Sequence, residues 1–143
     1  MTTSCPIPLI PCTNPDRLLL FTAVSCGWPS PALDYAEPPL SIDELVSIRA
    51  CSTFLVRAQG HSMIGAGIYE ADVLVVDRSL TAVTGDVVVA VVDGDFTMKR
   101  LGTVDGQVAL LPENPEMQPI VFAEGQELFI WGVVTWNLHR LRG

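Results

Sequence analysis

The chain has 143 residues, 49% of them hydrophobic and only 17% charged, with a formal net charge of −8. That length accommodates one domain with a real core, and the apolar content excludes a wholly disordered chain. The acidic balance argues against direct DNA binding, because phosphate backbones are held by clustered Lys and Arg.

The charge is unevenly placed. Residues 1–26 hold one acid, Asp16, and one base, Arg17, so residues 27–143 carry the whole surplus. Such a body suits a basic or mixed-charge protein partner. Four cysteines (Cys5, Cys12, Cys26, Cys51) form no C-x-x-C pair, and His61 and His139 stand far apart, so neither a metal nor a cofactor is expected. Free thiols fit a reducing cytoplasm. No apolar run reaches the roughly 18 residues that a membrane span needs. Arg17 and the apolar stretch from Leu18 to Cys26 allow an exported-lipoprotein reading, but Pro6, Pro8, Pro11 and Pro15 precede it and no second base does.

Eight of the eleven prolines fall in the first 39 residues, which predicts an extended N-terminal arm over 1–40, with Leu18 to Val24 a short strand. Ser41 can cap a brief helix from Ile42 to about Ile48, with Asp43 and Glu44 at its positive end. Residues 41–143 then read as a β-rich domain. Its first strand is Thr53 to Ala58, followed by a glycine-bearing loop through Gly60, Gly65 and Gly67. Asp72 to Asp77 is a near-continuous apolar strand bounded by charges. Val87 to Val92 and Phe96 to Leu101 flank Asp93-Gly94, and Asp105-Gly106 leads into Gln107 to Leu111; both dipeptides are hairpin signals. Pro112, Pro115 and Pro119 break the chain before Ile120 to Phe122, Leu128 to Trp136 is a last strand, and Leu138 to Gly143 reads as a tail. The fold class is mostly β, with several antiparallel strands.

Two residues stand out chemically. Lys99 is the single lysine among seven arginines. Arginine keeps its proton at any biological pH, whereas a desolvated lysine can lose its own. Ser62 follows Gly60, a residue that permits a sharp, close-approaching turn, and a serine becomes a nucleophile when a neighbouring base takes its proton. Along the strand, Thr97, Lys99 and Leu101 share one face while Phe96, Met98 and Arg100 share the other. One of Lys99 and Arg100 is therefore expected to be at least partly buried, and lysine is the cheaper of the two because it can become neutral.

These stretches also carry a resemblance. Val56-Arg57-Ala58-Gln59-Gly60-His61-Ser62-Met63-Ile64, Gly67-Ile68, Asp72 to Asp77, Gly85 to Ala90 and Gly94 to Leu101 together resemble the core of the LexA/UmuD self-cleaving serine peptidases. Cys26-Gly27-Trp28-Pro29-Ser30-Pro31-Ala32-Leu33-Asp34-Tyr35 is similar to the self-cleavage region of the UmuD branch. The resemblance spans about residues 24–136. It implies a dimeric, mostly β, cytoplasmic peptidase that cuts its own arm at Cys26-Gly27. Ser62 would be the nucleophile, Lys99 the general base, and the backbone N–H groups of His61 and Ser62 the oxyanion hole. It also implies stimulation by a RecA filament on single-stranded DNA, and a shortened product that joins a Y-family, UmuC-like polymerase subunit for translesion synthesis. His61 and Ala71 depart from residues common in that family; only the backbone of His61 would be used. Three other functions compete with this one: a polymerase-binding module with an inert dyad, a LexA-like repressor, and the exported lipoprotein.

Overall fold

The structure, a computed structural model, describes residues 18–21, 36–48, 51–123 and 125–143. The chain divides into two compact units, Met1–Ile48 and Arg49–Gly143. In the first, β1 (Leu18–Phe21) pairs antiparallel with β2 (Ala36–Leu40), Leu18 opposite Leu40 and Phe21 opposite Ala36. β2 holds Pro38 and Pro39, which lack N–H donors. One of two adjacent prolines can face the free side of a two-stranded ribbon, and the register shift between Leu18 and Leu20 lies opposite the pair, where the ladder is interrupted. Proline content alone therefore hid this strand.

Helix α1 (Ile42–Leu45) is capped by Ser41, whose side chain accepts from the Glu44 N–H at 3.1 Å. It ends three residues before the predicted Ile48. Ser47 turns left-handed at φ 55°, and the Ser47 and Ile48 N–H groups reach back to Glu44 O and Asp43 O. That pair of bonds closes the helix in a Schellman motif, with serine in the place glycine usually takes.

The second unit is a seven-stranded antiparallel sheet. Its strands are β3 (Thr53–Arg57), β4 (Val73–Asp77), β5 (Val87–Val92), β6 (Asp95–Val104), β7 (Gln107–Leu111), β8 (Ile120–Val121) and β9 (Phe129–Leu138), in the spatial order β3-β4-β9-β5-β6-β7-β8. The β5–β6 and β6–β7 connections are tight because both residues of Asp93-Gly94 and of Asp105-Gly106 take positive φ, as a type I′ turn requires. β9, from the end of the chain, inserts between β4 and β5. Gly132 makes that insertion possible: a Cβ there would come within 2.6 Å of Val76 Cγ1.

Both faces of the central strands are covered. Val89 packs with Ala58, Met63, Ile68, Leu74 and Val76, while its neighbours Val88 and Ala90 pack with Leu110 and Val133 on the other side. Double burial explains the unbroken apolar run of β5, where alternation would mark a half-exposed strand. The final strand runs two residues past the predicted Trp136, and the predicted tail is tied down at its start. His139 Nδ1 meets Asp72 Oδ1 at 2.5 Å, and the His139 ring lies 5.1 Å from that of Tyr69. Asn137 Nδ2 donates to the same carboxylate at 2.9 Å.

Candidate active site

The loop carrying Ser62 is pinned at its base. Ala58 N–H donates to Asp72 O and Ala71 N–H to Ala58 O, so residues 58–72 leave and re-enter the β3–β4 hairpin at one point. Gly60, at φ 89°, makes the turn out of β3. Met63, 2% exposed, plugs the loop into the core just after the serine. A 3-10 turn over Ile64–Ala66 and a left-handed Gly67 then bring the chain back.

Lys99 is delivered by β6. That strand pairs with β5 along Asp95–Arg100 but with β7 only from Arg100 onward. Met98 O, in the segment not paired to β7, accepts instead from Ser62 Oγ at 3.4 Å and Lys99 Nζ at 3.2 Å. Lys99 Nζ also lies 2.9 Å from Thr97 Oγ1 and 3.0 Å from Ser62 Oγ. Ser62 and Lys99, thirty-seven positions apart, are thus within hydrogen-bond reach. Burial of the Lys99 amine pushes its pKa below the ordinary value of 10.5. A neutral amine has two N–H groups and one lone pair. Thr97 Oγ1 and Met98 O can take the two donors, which leaves the lone pair for the Ser62 hydroxyl proton once that hydroxyl turns from Met98 O.

Both Lys99 and Arg100 are partly buried, and each is accommodated differently. Arg100 is held by partners, with Nε 2.6 Å from Glu113 Oε1 and Nη1 donating to Gly85 O at 2.6 Å. Through Glu113 the same arginine reaches the serine loop. Glu113 N–H donates to Ser62 O at 2.7 Å, and Gly65 N–H donates to Glu113 O at 2.7 Å. Only glycine fits at 65, since a Cβ would stand 2.6 Å from that carbonyl. Asn114 Nδ2 donates to His61 O at 3.0 Å.

Ser62 and Lys99 open onto a cleft of about 290 Å³, walled by Val56, Leu74, Phe96 and Met98 among others. A larger hollow of about 530 Å³ beside Gly106 and Phe122 shares no residue with it and offers Gln107 and Gln126 as its polar side chains. Chemistry, not size, marks the smaller one. The His61 ring is exposed and its backbone carbonyl is engaged by Asn114, while Cys26 and Gly27 lie outside the described residues. Thr97, Glu113 and Asn114 were not singled out by sequence reasoning. Thr97 could have been, since it shares a strand face with Lys99. Glu113 and Asn114 sit between Pro112 and Pro115, which marked only a break. No described helix is long and apolar enough to cross a membrane.

Comparison with known proteins identifies the family. Residues 19–135 match the family described as Peptidase S24-like. The chain is 44% identical to protein SamA of Salmonella typhimurium over 116 residues, covering 81% of this chain and 80% of that protein. It is 39% identical to protein MucA of Escherichia coli over 117 residues, 80% of this chain and 79% of that one. It is 42% identical to LexA repressor 1 of Geobacter sulfurreducens over 103 residues, 72% of this chain but 50% of the repressor. With a family match across most of its length and relatives at this identity, the chain belongs to the Peptidase S24-like family, as a LexA/UmuD-like member.

Proposed function

We propose that the chain is a self-cleaving Ser-Lys peptidase of the DNA-damage response. Residues 1–40 are in this reading the arm that is cut, and residues 41–143 the domain that cuts. The observation that carries the proposal is the 3.0 Å contact between Ser62 Oγ and a lysine amine whose pKa is lowered by burial. Peptide hydrolysis needs a nucleophile and a base so placed, and a family of peptidases is where such a pair has that use.

The chemistry runs in two steps. Neutral Lys99 takes the Ser62 hydroxyl proton as Oγ attacks the Cys26 carbonyl carbon, and the backbone N–H groups of His61 and Ser62 hold the oxyanion. The Cys26–Gly27 C–N bond then breaks, the proton passes to the Gly27 amine, and residues 1–26 remain as an ester on Ser62. Water attacks that ester with Lys99 again as base, which frees residues 1–26 and restores the serine. Holding the arm on the same chain, or on the partner chain of a homodimer, makes the attack effectively unimolecular, a contribution of about 7–11 kcal/mol when alignment is good. A RecA filament on single-stranded DNA stimulates the step in this scheme by favouring that alignment. The shortened product joins a Y-family, UmuC-like polymerase subunit in the cytoplasm. A net charge of −8 fits recognition of the filament through protein and not through direct contact with DNA.

Mass spectrometry of the purified full chain tests the proposal. Incubated at alkaline pH or with the filament, the wild-type chain should yield a product beginning Gly27-Trp28-Pro29, and Ser62→Ala should remain whole. A Ser62→Ala chain that loses its first 26 residues at the wild-type rate would assign the cut to an outside protease, leaving a polymerase-binding module.

A further inference from the structure

A peptide unit is planar and trans, so a hydrogen bond at its carbonyl also fixes where its N–H points. The unit joining His61 to Ser62 has its oxygen on Asn114 Nδ2 at 3.0 Å. Its other end is the Ser62 N–H, one of the two oxyanion donors in the Ser-Lys reading, and any role for Asn114 at this peptide rests on that reading. The next peptide unit is held as well, with Ser62 O on Glu113 N–H at 2.7 Å. Two consecutive residues of one segment thus pin the two peptide planes on either side of the Ser62 Cα.

The orientation of the Asn114 amide is determined by its surroundings. Asn114 is 9% exposed, and its Oδ1 accepts from the Glu116 N–H at 3.0 Å. The flipped amide would set Oδ1 against the His61 carbonyl and NH₂ against the Glu116 N–H, losing both bonds. The segment is anchored in turn to the lysine strand, because Glu113 is paired with Arg100, the residue after Lys99. Nucleophile loop and base strand therefore share one brace. The Asn114 side chain is the part of it that meets the peptide unit whose N–H would face the oxyanion.

We propose that Asn114 is a positioning residue for self-cleavage: by holding the His61 carbonyl, it aims the Ser62 N–H at the oxygen that becomes negative as Cys26 is attacked. Asn114 touches neither the arm nor the reacting atoms in this scheme. It acts by keeping a dipole oriented before charge develops, so that the loop need not reorganise during the reaction. Removing an oxyanion donor outright costs roughly 10²–10³-fold in rate, which bounds what misaiming one can cost.

The test is self-cleavage of the full chain followed across pH in wild type, Asn114→Ser, Asn114→Ala and Ser62→Ala, with thermal melts. Serine is neutral and can still accept from the Glu116 N–H, as short hydroxyl side chains do two residues on, but it cannot reach His61 O as the amide does. The plateau rate of Asn114→Ser should fall between roughly 10- and 10³-fold, and its pH midpoint should stay at the wild-type value, because the surroundings of Lys99 are unchanged. A general loosening of the site would move the midpoint together with the plateau. A folded Asn114→Ser chain with a wild-type plateau, or with a displaced midpoint, overturns the proposal and leaves the Ser-Lys reading standing. A Ser62→Ala chain that cleaves as wild type does, or a wild-type chain that never cleaves itself, overturns both. Hydrogen exchange on the wild-type chain needs no variant to fold. One Asn114 side-chain amide proton should be protected, and free exchange of both would also overturn the proposal.

Discussion

Lys99→Arg is expected to slow self-cleavage by roughly 10²–10⁴-fold at every pH, the range that a positioned general base contributes. Arginine keeps the charge and much of the length of lysine but does not release its proton in a protein. In the wild-type chain, cleavage should accelerate as pH rises through the Lys99 pKa and then level off, with a midpoint below 10.5 because burial disfavours the ammonium form. Stability carries the same signature with a definite sign. The unfolded chain holds the Lys99 proton to higher pH than the folded chain does. The desolvation penalty is thus complete below the folded pKa and is relieved as pH climbs from there towards 10.5. Lys99→Met should accordingly be inactive yet melt higher than wild type at neutral pH, with the gap narrowing in alkali. A folded Lys99→Arg chain that cleaves itself at close to the wild-type rate would exclude lysine as the base.

Asp72→Ala should produce the largest loss of stability, about 3 kcal/mol, or roughly 10 °C or more in Tm for a unit of this size. Asp72 is 4% exposed, and such burial alone would raise its pKa. The Tyr69 N–H, His139 and Asn137 all favour the carboxylate, and together they outweigh burial, so the net shift is downward from 3.8. The stabilisation is therefore complete above the ordinary pKa of 3.8 and drains away as pH falls through the lower folded value. Melting wild type and Asp72→Ala side by side from neutral to strongly acidic pH should show two curves that converge in acid. Equal melting temperatures at neutral pH would mean that the grip on the β3–β4 loop and the end of β9 contributes nothing.

How much of this could be read from sequence depends on how local each signal is. The bounds of β5 and β7 agree with expectation to the residue, because aspartate-glycine turns and valine runs act over a few positions. Ser62 and Lys99 were legible as chemical types, one beside a turn glycine and one as the single lysine. Their 3.0 Å approach was not, since it depends on which strands become neighbours. β2 was missed because its prolines are compatible with a ribbon edge and not with a central ladder. The helix stopped short because Ser47 adopts a conformation that serine seldom signals. The end of the chain read as a tail because the partner of His139 lies sixty-seven positions upstream. Asn114 escaped for a related reason: its use is a side-chain bond to the backbone of a distant loop, and periodicity carries no trace of such bonds.

The central place of β9 has a consequence for the order of events in a cell. β3 and β4 lead the Ser62 loop, β5 and β6 bring Lys99, and the ladder between these two hairpins runs through residues 129–138. A ribosome emits β3 to β6 before this joining strand. Until it emerges, nucleophile and base belong to separate pieces that share no ladder. Chains halted before residue 129 and released by a stop codon there should keep their arms, whereas chains carried past residue 138 should be able to lose them. If the halted chains cut themselves as fast as chains that include β9, the two hairpins meet without that strand. Otherwise the topology works as a clock for the proposed self-cleavage, started when β9 emerges.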